Sequence, residues 1–214
     1  MSLGGLRITE PATMATDLVI AAMCTGFAVV LERGAEGAGR ARELWALSFV
    51  FTAVAALIGA AVHGFALHLT AAAKQRLWKA TQYAVGLTAL AILGAAILAF
   101  VSGPARAWLV AAAAAKFAAY VAVARRRDEY KIVVIDYGVS MVALAALAAI
   151  AWMRRGAPAS PWLIAGVLVS AVAAAVQVRK IAPHPRFNHN DLYHVIQIVA
   201  LYLFFRGGAL LVDA

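Results

Sequence analysis

Seven apolar stretches, each bounded by charge, glycine or proline, divide the chain. A helix needs about 20 predominantly apolar residues to cross the hydrocarbon core of a bilayer. The stretches at 13–31, 44–70, 77–101, 105–124, 130–153, 161–179 and 190–212 are each of that order. The first is the weakest: its clean apolar part is Leu18 to Leu31, with Asp17 just ahead of it. The residues before it set Arg7 against Glu10 and Asp17, which fits the basic start of a secretory signal badly. The connections are brief, as in a helical bundle, and the longest, Glu32 to Glu43, is rich in glycine and charge. Pro11, Pro104, Pro158, Pro161, Pro183 and Pro185 all fall between the long apolar runs and punctuate them. The pattern predicts an all-α integral membrane bundle of seven transmembrane helices, with residues 1–214 forming a single membrane domain. Ala111–Ala115 and Ala143–Ala149 read as close-packing faces, where small side chains let helix backbones approach.

Composition agrees: 64% of residues are hydrophobic and the mean hydropathy is +0.85, far above a soluble domain. The net charge of +9 does not point to nucleic acid, because the cations sit in the connections, where phospholipid headgroups account for them. The single cysteine, Cys24, rules out a disulfide framework within the chain. Lys and Arg are distributed unequally between alternate connections. Arg7, Lys74, Arg76, Lys79, Arg125, Arg126, Arg127, Lys131, Arg179, Lys180 and Arg186 give eleven on one side. Arg33, Arg40, Arg42, Arg106, Arg154, Arg155 and Arg206 give seven on the other. The positive-inside rule then puts the N-terminus in the cytoplasm and the C-terminus outside, across a cell inner membrane.

The same count places the buried polar residues at one level. His63 falls near the end of segment two, Gln82 near the start of segment three, and Asp136 about one and a half turns into segment five. Asn190, His194 and Gln197 fall in the first turns of segment seven. Asp17 opens segment one on the same side. Asn190, His194 and Gln197 are spaced i, i+4, i+7 and share a stripe, from which His189 and Asp191 point away; Asp136 and Ser140 are spaced i, i+4. Gly59, one turn before His63, leaves space beside its imidazole. Polar groups inside a membrane are costly and mark functional sites.

Three readings compete: a divalent metal site, a hydrogen-bonded network that pins the bundle, and a proton or ion path. For the metal, the candidate ligands are His63 and His194, completed by His189, Asn190 or Asp136; imidazole and carboxylate suit zinc with an open position for water. Asp136, among Ile132, Val133, Val134 and Ile135, needs a proton, a metal, a histidine or the mid-segment Lys116 as partner. His68 and His184 read as headgroup-facing. Trp78, Tyr83, Tyr130 and Tyr193 read as an interfacial aromatic belt. Asn188 and Asn190 suit a helix N-cap.

Seven helices, a histidine late in segment two and a histidine-bearing opening of segment seven resemble one membrane hydrolase superfamily. It includes alkaline ceramidases, the progestin and adipoQ receptors, and bacterial haemolysin-III-like proteins. The resemblance implies zinc held by a second-helix histidine and by two seventh-helix histidines spaced i, i+4, with an aspartate and a serine assisting cleavage of a lipid amide. His63 and His194 match two of those positions. Asn190 stands where the other seventh-helix histidine would be, Gly59 where the serine would be, and Gln82 close to the aspartate, a role Asp136 could take from another helix. On this reading the chain is a zinc-dependent hydrolase of a lipid or lipid-like amide or ester. Asp136 is base or ligand, and Tyr193 or Asn190 orients the intermediate. Asn188-His189-Asn190-Asp191 followed by His194 also resembles a bacterial membrane family with the pattern Asn-His-Asn-Asp-x-x-His, a likeness that implies no activity.

The alternative is a non-enzymatic protein that binds or transports a small ligand, an ion or protons through the same polar groups. An accessory subunit, in which they serve stability alone, is the third. Segment seven has no lysine, so retinal cannot attach there as in microbial rhodopsins. Gly-x-Ser-x-Gly elbows and phosphate-binding glycine loops are absent from the sequence.

Overall fold

The computed structural model describes residues 2–3, 6–34, 39–184 and 187–214. They form seven helices: α1 (Pro11–Arg33), α2 (Arg40–Phe65), α3 (Ala71–Phe100), α4 (Pro104–Ala124), α5 (Tyr130–Arg155), α6 (Ser160–Val178) and α7 (His189–Gly208). A two-residue antiparallel hairpin, β1 (Ser2–Leu3) with β2 (Leu6–Arg7), precedes them. The helices α1 to α6 are long and apolar enough to cross a membrane. The 20-residue α7 is not among them, because Asn190, Asp191, His194 and Gln197 interrupt the apolar character of its first turns.

The boundaries that hydropathy misplaces are set by capping. Helix α3 begins six residues before its apolar run, at Ala71, because Thr70 is its N-cap and accepts from the Ala73 amide at 3.2 Å. Lys74, Gln75, Arg76 and Lys79 hide this polar first stretch from a hydropathy reading. Helix α7 stops at Gly208, and the chain turns so that Asp213 accepts from the Arg40 and Ala41 amides at 3.2 and 2.8 Å, capping α2. Gly39 is required at that junction: its φ is +83°, and a side chain would enter the Asp213 carboxylate.

Helices α1, α2, α3, α5, α6 and α7 form a ring, each packed on the next, which α1 against α7 closes. Helix α4 lies outside against α3, with only light contact to α5. The expected small-residue face at Ala111–Ala115 is therefore mostly exposed, with Ala113 alone buried. Inside the ring Trp45, Phe49, Ile92, Leu144, Leu163 and Phe204 form one core. Large apolar side chains cover the outside, including Trp108, Val142 and Met153, as a lipid-facing surface requires.

All described histidines lie at one end of the bundle, where α1, α3, α5 and α7 start. At the opposite end arginines bind the last carbonyls of helices, which have no partner within their own helix. Arg42 donates to the Gly34 and Ala209 carbonyls at 2.5 and 2.7 Å, and Arg155 to Ala99 at 2.6 Å. Arg106 donates to Val101 at 2.7 Å and also reaches Ala214. Arg206 stacks over Trp162 at 4.5 Å.

At the histidine end Lys79 clasps the α4–α5 connection, reaching the Ala124 carbonyl, the Arg127 carbonyl and, at 2.5 Å, Asp128. Its hydrogen bond holds the Asp128 carboxyl below the usual carboxylate range. A depressed carboxyl contributes stability above its unfolded pKa of about 3.9 and loses it as pH falls through the lower folded value. Amide exchange across residues 124–131 is therefore expected to accelerate in acid below about pH 4, and in K79M to be fast at every pH. The group is solvent-exposed, so the effect stays local and weakens with salt.

Candidate functional site

The start of α7 builds its own cap and uses the same residue to dock α1. Asn188 Oδ1 accepts from the Asn190 and Asp191 amides at 2.7 and 3.3 Å. Asp191 Oδ2 accepts from the Asn188 amide at 2.8 Å, which completes a reciprocal capping box. The other carboxylate oxygen, Oδ1, accepts from the Thr13 hydroxyl of α1 at 2.7 Å, with both residues only 1% exposed.

One turn on, His194 lies between two α1 side chains. Its Nδ1 is 2.9 Å from Thr16 Oγ1, and its Nε2 is 3.5 Å from Asp17 Oδ1, the long limit of a hydrogen bond. Thr16 Oγ1 is also 2.9 Å from the Thr13 carbonyl. A hydroxyl has one proton, and a carbonyl can only accept. With that proton on the Thr13 carbonyl, His194 Nδ1 must carry a hydrogen and donate to Thr16. The neutral ring then turns the Nε2 lone pair to Asp17, and a single proton between the two groups satisfies both. The second carboxyl oxygen, Asp17 Oδ2, is buried and has no hydrogen-bond partner. A Cβ on Gly59 would sit 3.0 Å from it, so the space expected beside His63 receives the Asp17 carboxyl.

His63 leads from this pair toward the surface. Its Nδ1 is 3.3 Å from Glu10 Oε2, which is in turn 3.3 Å from the Thr13 hydroxyl. The His63 and Glu10 side chains are 29% and 38% exposed. The two histidines thus meet different carboxylates, Asp17 on α1 and Glu10 at the α1 N-cap, rather than one another. Glu10, Thr13 and Asp17 follow an i, i+3, i+7 spacing, a single-face signal that the sequence carries beyond Asp17 alone. Asp191, expected to point away, is central.

The predicted stripe on α7 straddles a seam: Asn190 accepts from Gln177 of α6 at 2.9 Å and Gln197 donates to Ser170 of α6 at 3.4 Å, while His194 turns to α1. His189 is the first residue of α7, with no hydrogen bond into the cluster among the described residues. The Tyr193 ring is 5.4 Å from the His194 ring, and its hydroxyl makes no hydrogen bond there. His68 is exposed, 3.3 Å from the Arg7 carbonyl, and His184 is exposed as well.

Asp136 is not brought to the histidines. It pairs with Lys116 of α4 at 2.5 Å, and Ser140 donates to its backbone carbonyl at 3.2 Å. Helix α5 packs mainly on α3 and α6 in the ring, and Asp136 faces α4, so the single convergence expected from segments two, five and seven divides into two. Gln82 goes with the second group, where its backbone carbonyl accepts from Tyr120 of α4 at 2.7 Å.

Zinc takes three or four donors at one point. Among the described residues no three His, Cys, Asp or Glu side chains come together in that way; the donors stand in pairs, His63 with Glu10 and His194 with Asp17. No curated protein matches the chain. The model of a family of unknown function, DUF6962, matches residues 12–213, and the chain belongs to that family.

Proposed function

We propose that this is a non-enzymatic seven-helix membrane protein that takes up and releases a proton at Asp17 and His194, in exchange for a small ligand or ion bound beside them. The observation that carries this reading is the Asp17 carboxyl: buried, 3.5 Å from His194 Nε2, and with Oδ2 unpartnered. A buried acceptor without a partner costs about 1–3 kcal/mol, so the pair favours a proton or a ligand that supplies the missing contact. Glu10 and His63 connect it to the surface, and Asp191 and Tyr193 are further ionisable groups of α7 near the pair. The polar groups farther along, Ser48 and Thr52, donate to carbonyls of their own helix at 2.6 and 2.8 Å. The polar chain therefore stops at Asp17, which favours a binding site open to one end over a continuous channel.

In this reading α7 spans the membrane as the seventh helix, its polar start facing α1 and α6 instead of lipid. The histidine end faces the cytoplasm. The cations there that bond nothing within the described chain are Arg7, Lys74, Arg76, Arg125, Arg126, Arg179 and Lys180. At the opposite end Arg42, Arg106, Arg155 and Arg206 are engaged, leaving Arg33, Arg40 and Arg154. Free cations are what anionic headgroups attract, and the ratio of seven to three is steeper than the sequence count of eleven to seven.

Infrared difference spectra of the detergent-purified protein test the proposal. A protonated-carboxyl band is expected to titrate within about pH 4–8, the range of carboxyls and imidazoles. It should vanish in D17N and shift in H194Q. A wild-type spectrum without that band, or one unchanged in D17N, refutes the reading. Stoichiometric zinc released by both H63A and H194A would instead favour hydrolysis.

A further inference from the structure

A second polar group lies where α3, α4 and α5 meet, outside the ring of the first. Gln82 is fully buried, and neither Oε1 nor Nε2 of its amide has a partner. Asp136 is 8% exposed; Oδ1 takes Lys116, and Oδ2 is buried without a partner. Three features put them at one point. Lys116 and Tyr120 are four residues apart on one face of α4. Tyr120 bonds the Gln82 backbone, and Lys116 bonds Asp136. One turn beyond Gln82, a Cβ on Gly86 would run into the Tyr120 ring, so α3 and α4 approach closely at this level.

A direct bond between the Gln82 amide and Asp136 Oδ2 would satisfy both, and the structure does not make it. Buried side-chain polar atoms are rarely left without a partner, so two such oxygens, on residues that both bond the Lys116–Tyr120 face of α4, point to a guest. Its charge follows from the surroundings. A carboxylate within hydrocarbon must keep one positive partner. The partner here is Lys116, on the most loosely attached helix, 21% exposed on a flexible stem that can carry its ammonium toward the headgroups. One positive charge can replace it without leaving the site charged.

We propose that the α3–α4–α5 cluster is a monovalent-cation site, in which Asp136 Oδ2 and Gln82 Oε1 take an alkali cation in exchange for the Lys116 ammonium. A divalent ion would leave a buried net charge. Water would satisfy the orphan atoms without displacing Lys116, and a proton would neutralise Asp136 without using Gln82. The site is independent of the Asp17–His194 pair and does not require that pair to exchange a proton.

The test is the melting midpoint of the full chain in detergent, in sodium, potassium and choline chloride at equal ionic strength. At about ten times the dissociation constant, an alkali cation should raise the midpoint a few degrees above choline. In Lys116→Met, which removes the competitor, the same shift should appear at a concentration at least about tenfold lower, because one log unit in affinity is only about 1.4 kcal/mol. Gln82→Leu, which keeps the lysine–aspartate pair, should abolish the difference between salts. Identical midpoints in the three salts for wild type and K116M overturn the proposal in favour of water. A K116M protein that responds to pH and not to the cation overturns it in favour of a proton. Should Gln82→Leu not fold, the K116M comparison decides alone.

Discussion

Asp191→Ala is expected to destabilise the protein by about 3–5 kcal/mol, a large part of the 5–15 kcal/mol typical of a folded domain. The carboxylate does two things at once. It accepts from the Asn188 amide and so closes the α7 capping box; losing such a cap costs about 1 kcal/mol. It also takes the Thr13 hydroxyl, in a place where both residues are almost wholly buried. Truncation leaves the amide unsatisfied, at about 1–3 kcal/mol, and the Thr13 hydroxyl with only its longer contact to Glu10 at 3.3 Å. Asp191→Asn keeps one acceptor oxygen, for the Asn188 amide, and turns an amide N–H to the Thr13 hydroxyl, which can accept it; it should cost about 1–2 kcal/mol. Denaturant unfolding in mixed micelles measures the difference. Because Thr13 is on the same turn as Thr16, D191A should also move His194 off Asp17 and shift the Asp17 carboxyl band. A D191A protein within about 1 kcal/mol of wild type would mean that α1 and α7 dock by other contacts.

The number of helices, and the gathering of polar groups at one end, were legible because hydropathy and charge are sums over whole segments. Partner choice was not. Asp136 illustrates the difference: its need for a counter-charge follows from the flanking Ile132–Ile135, and Lys116 is the basic residue nearest the middle of an apolar run. Whether that lysine or a histidine would claim it depends on which helices are neighbours in the ring, and short connections do not determine this. Helix α3 turns past α4 to pack on α5, which carries Asp136 away from α2 and α7. Asp191 was misjudged for a local reason. A residue 100° from a stripe is still within reach of a neighbouring helix when the stripe lies on a seam, and α7 sits between α1 and α6. Glu10 and Thr13 precede the clean apolar run of segment one, so hydropathy does not draw them to the site, although their spacing with Asp17 is readable. Gly59 was recognised as a space, but the occupant is Asp17 from α1. The zinc pattern carried by the resemblance had Asn190 and Gly59 in place of two expected groups, and those substitutions coincide with positions where the structure has Gln177 and Asp17 as neighbours.

The second large effect is expected at the other end of the bundle. Trp45→Ala should cost about 3–5 kcal/mol, the range for emptying a buried aromatic site. Trp45 is fully buried, its Nε1 donates to the Phe204 carbonyl at 3.0 Å, and its ring meets the Phe204 ring edge-on at 6.0 Å. Any side chain at Gly208 would collide with the indole, so α2 and α7 approach as closely here as backbones allow. In a bilayer little of this would be hydrophobic transfer; what is lost is dispersion contact and the hydrogen bond. Trp45→Phe keeps most of the contact and loses the hydrogen bond, at about 1–2 kcal/mol. Helix α7 is thus held twice, by Trp45 against α2 at one end and by Asp191 against α1 at the other. The two variants separate stability from the site. W45A should lower the melting midpoint and leave the Asp17 band where it is, whereas D191A should change both. If W45A displaces the band as far as D191A does, the Asp17–His194 geometry belongs to the whole bundle and not to the local docking of α1 on α7.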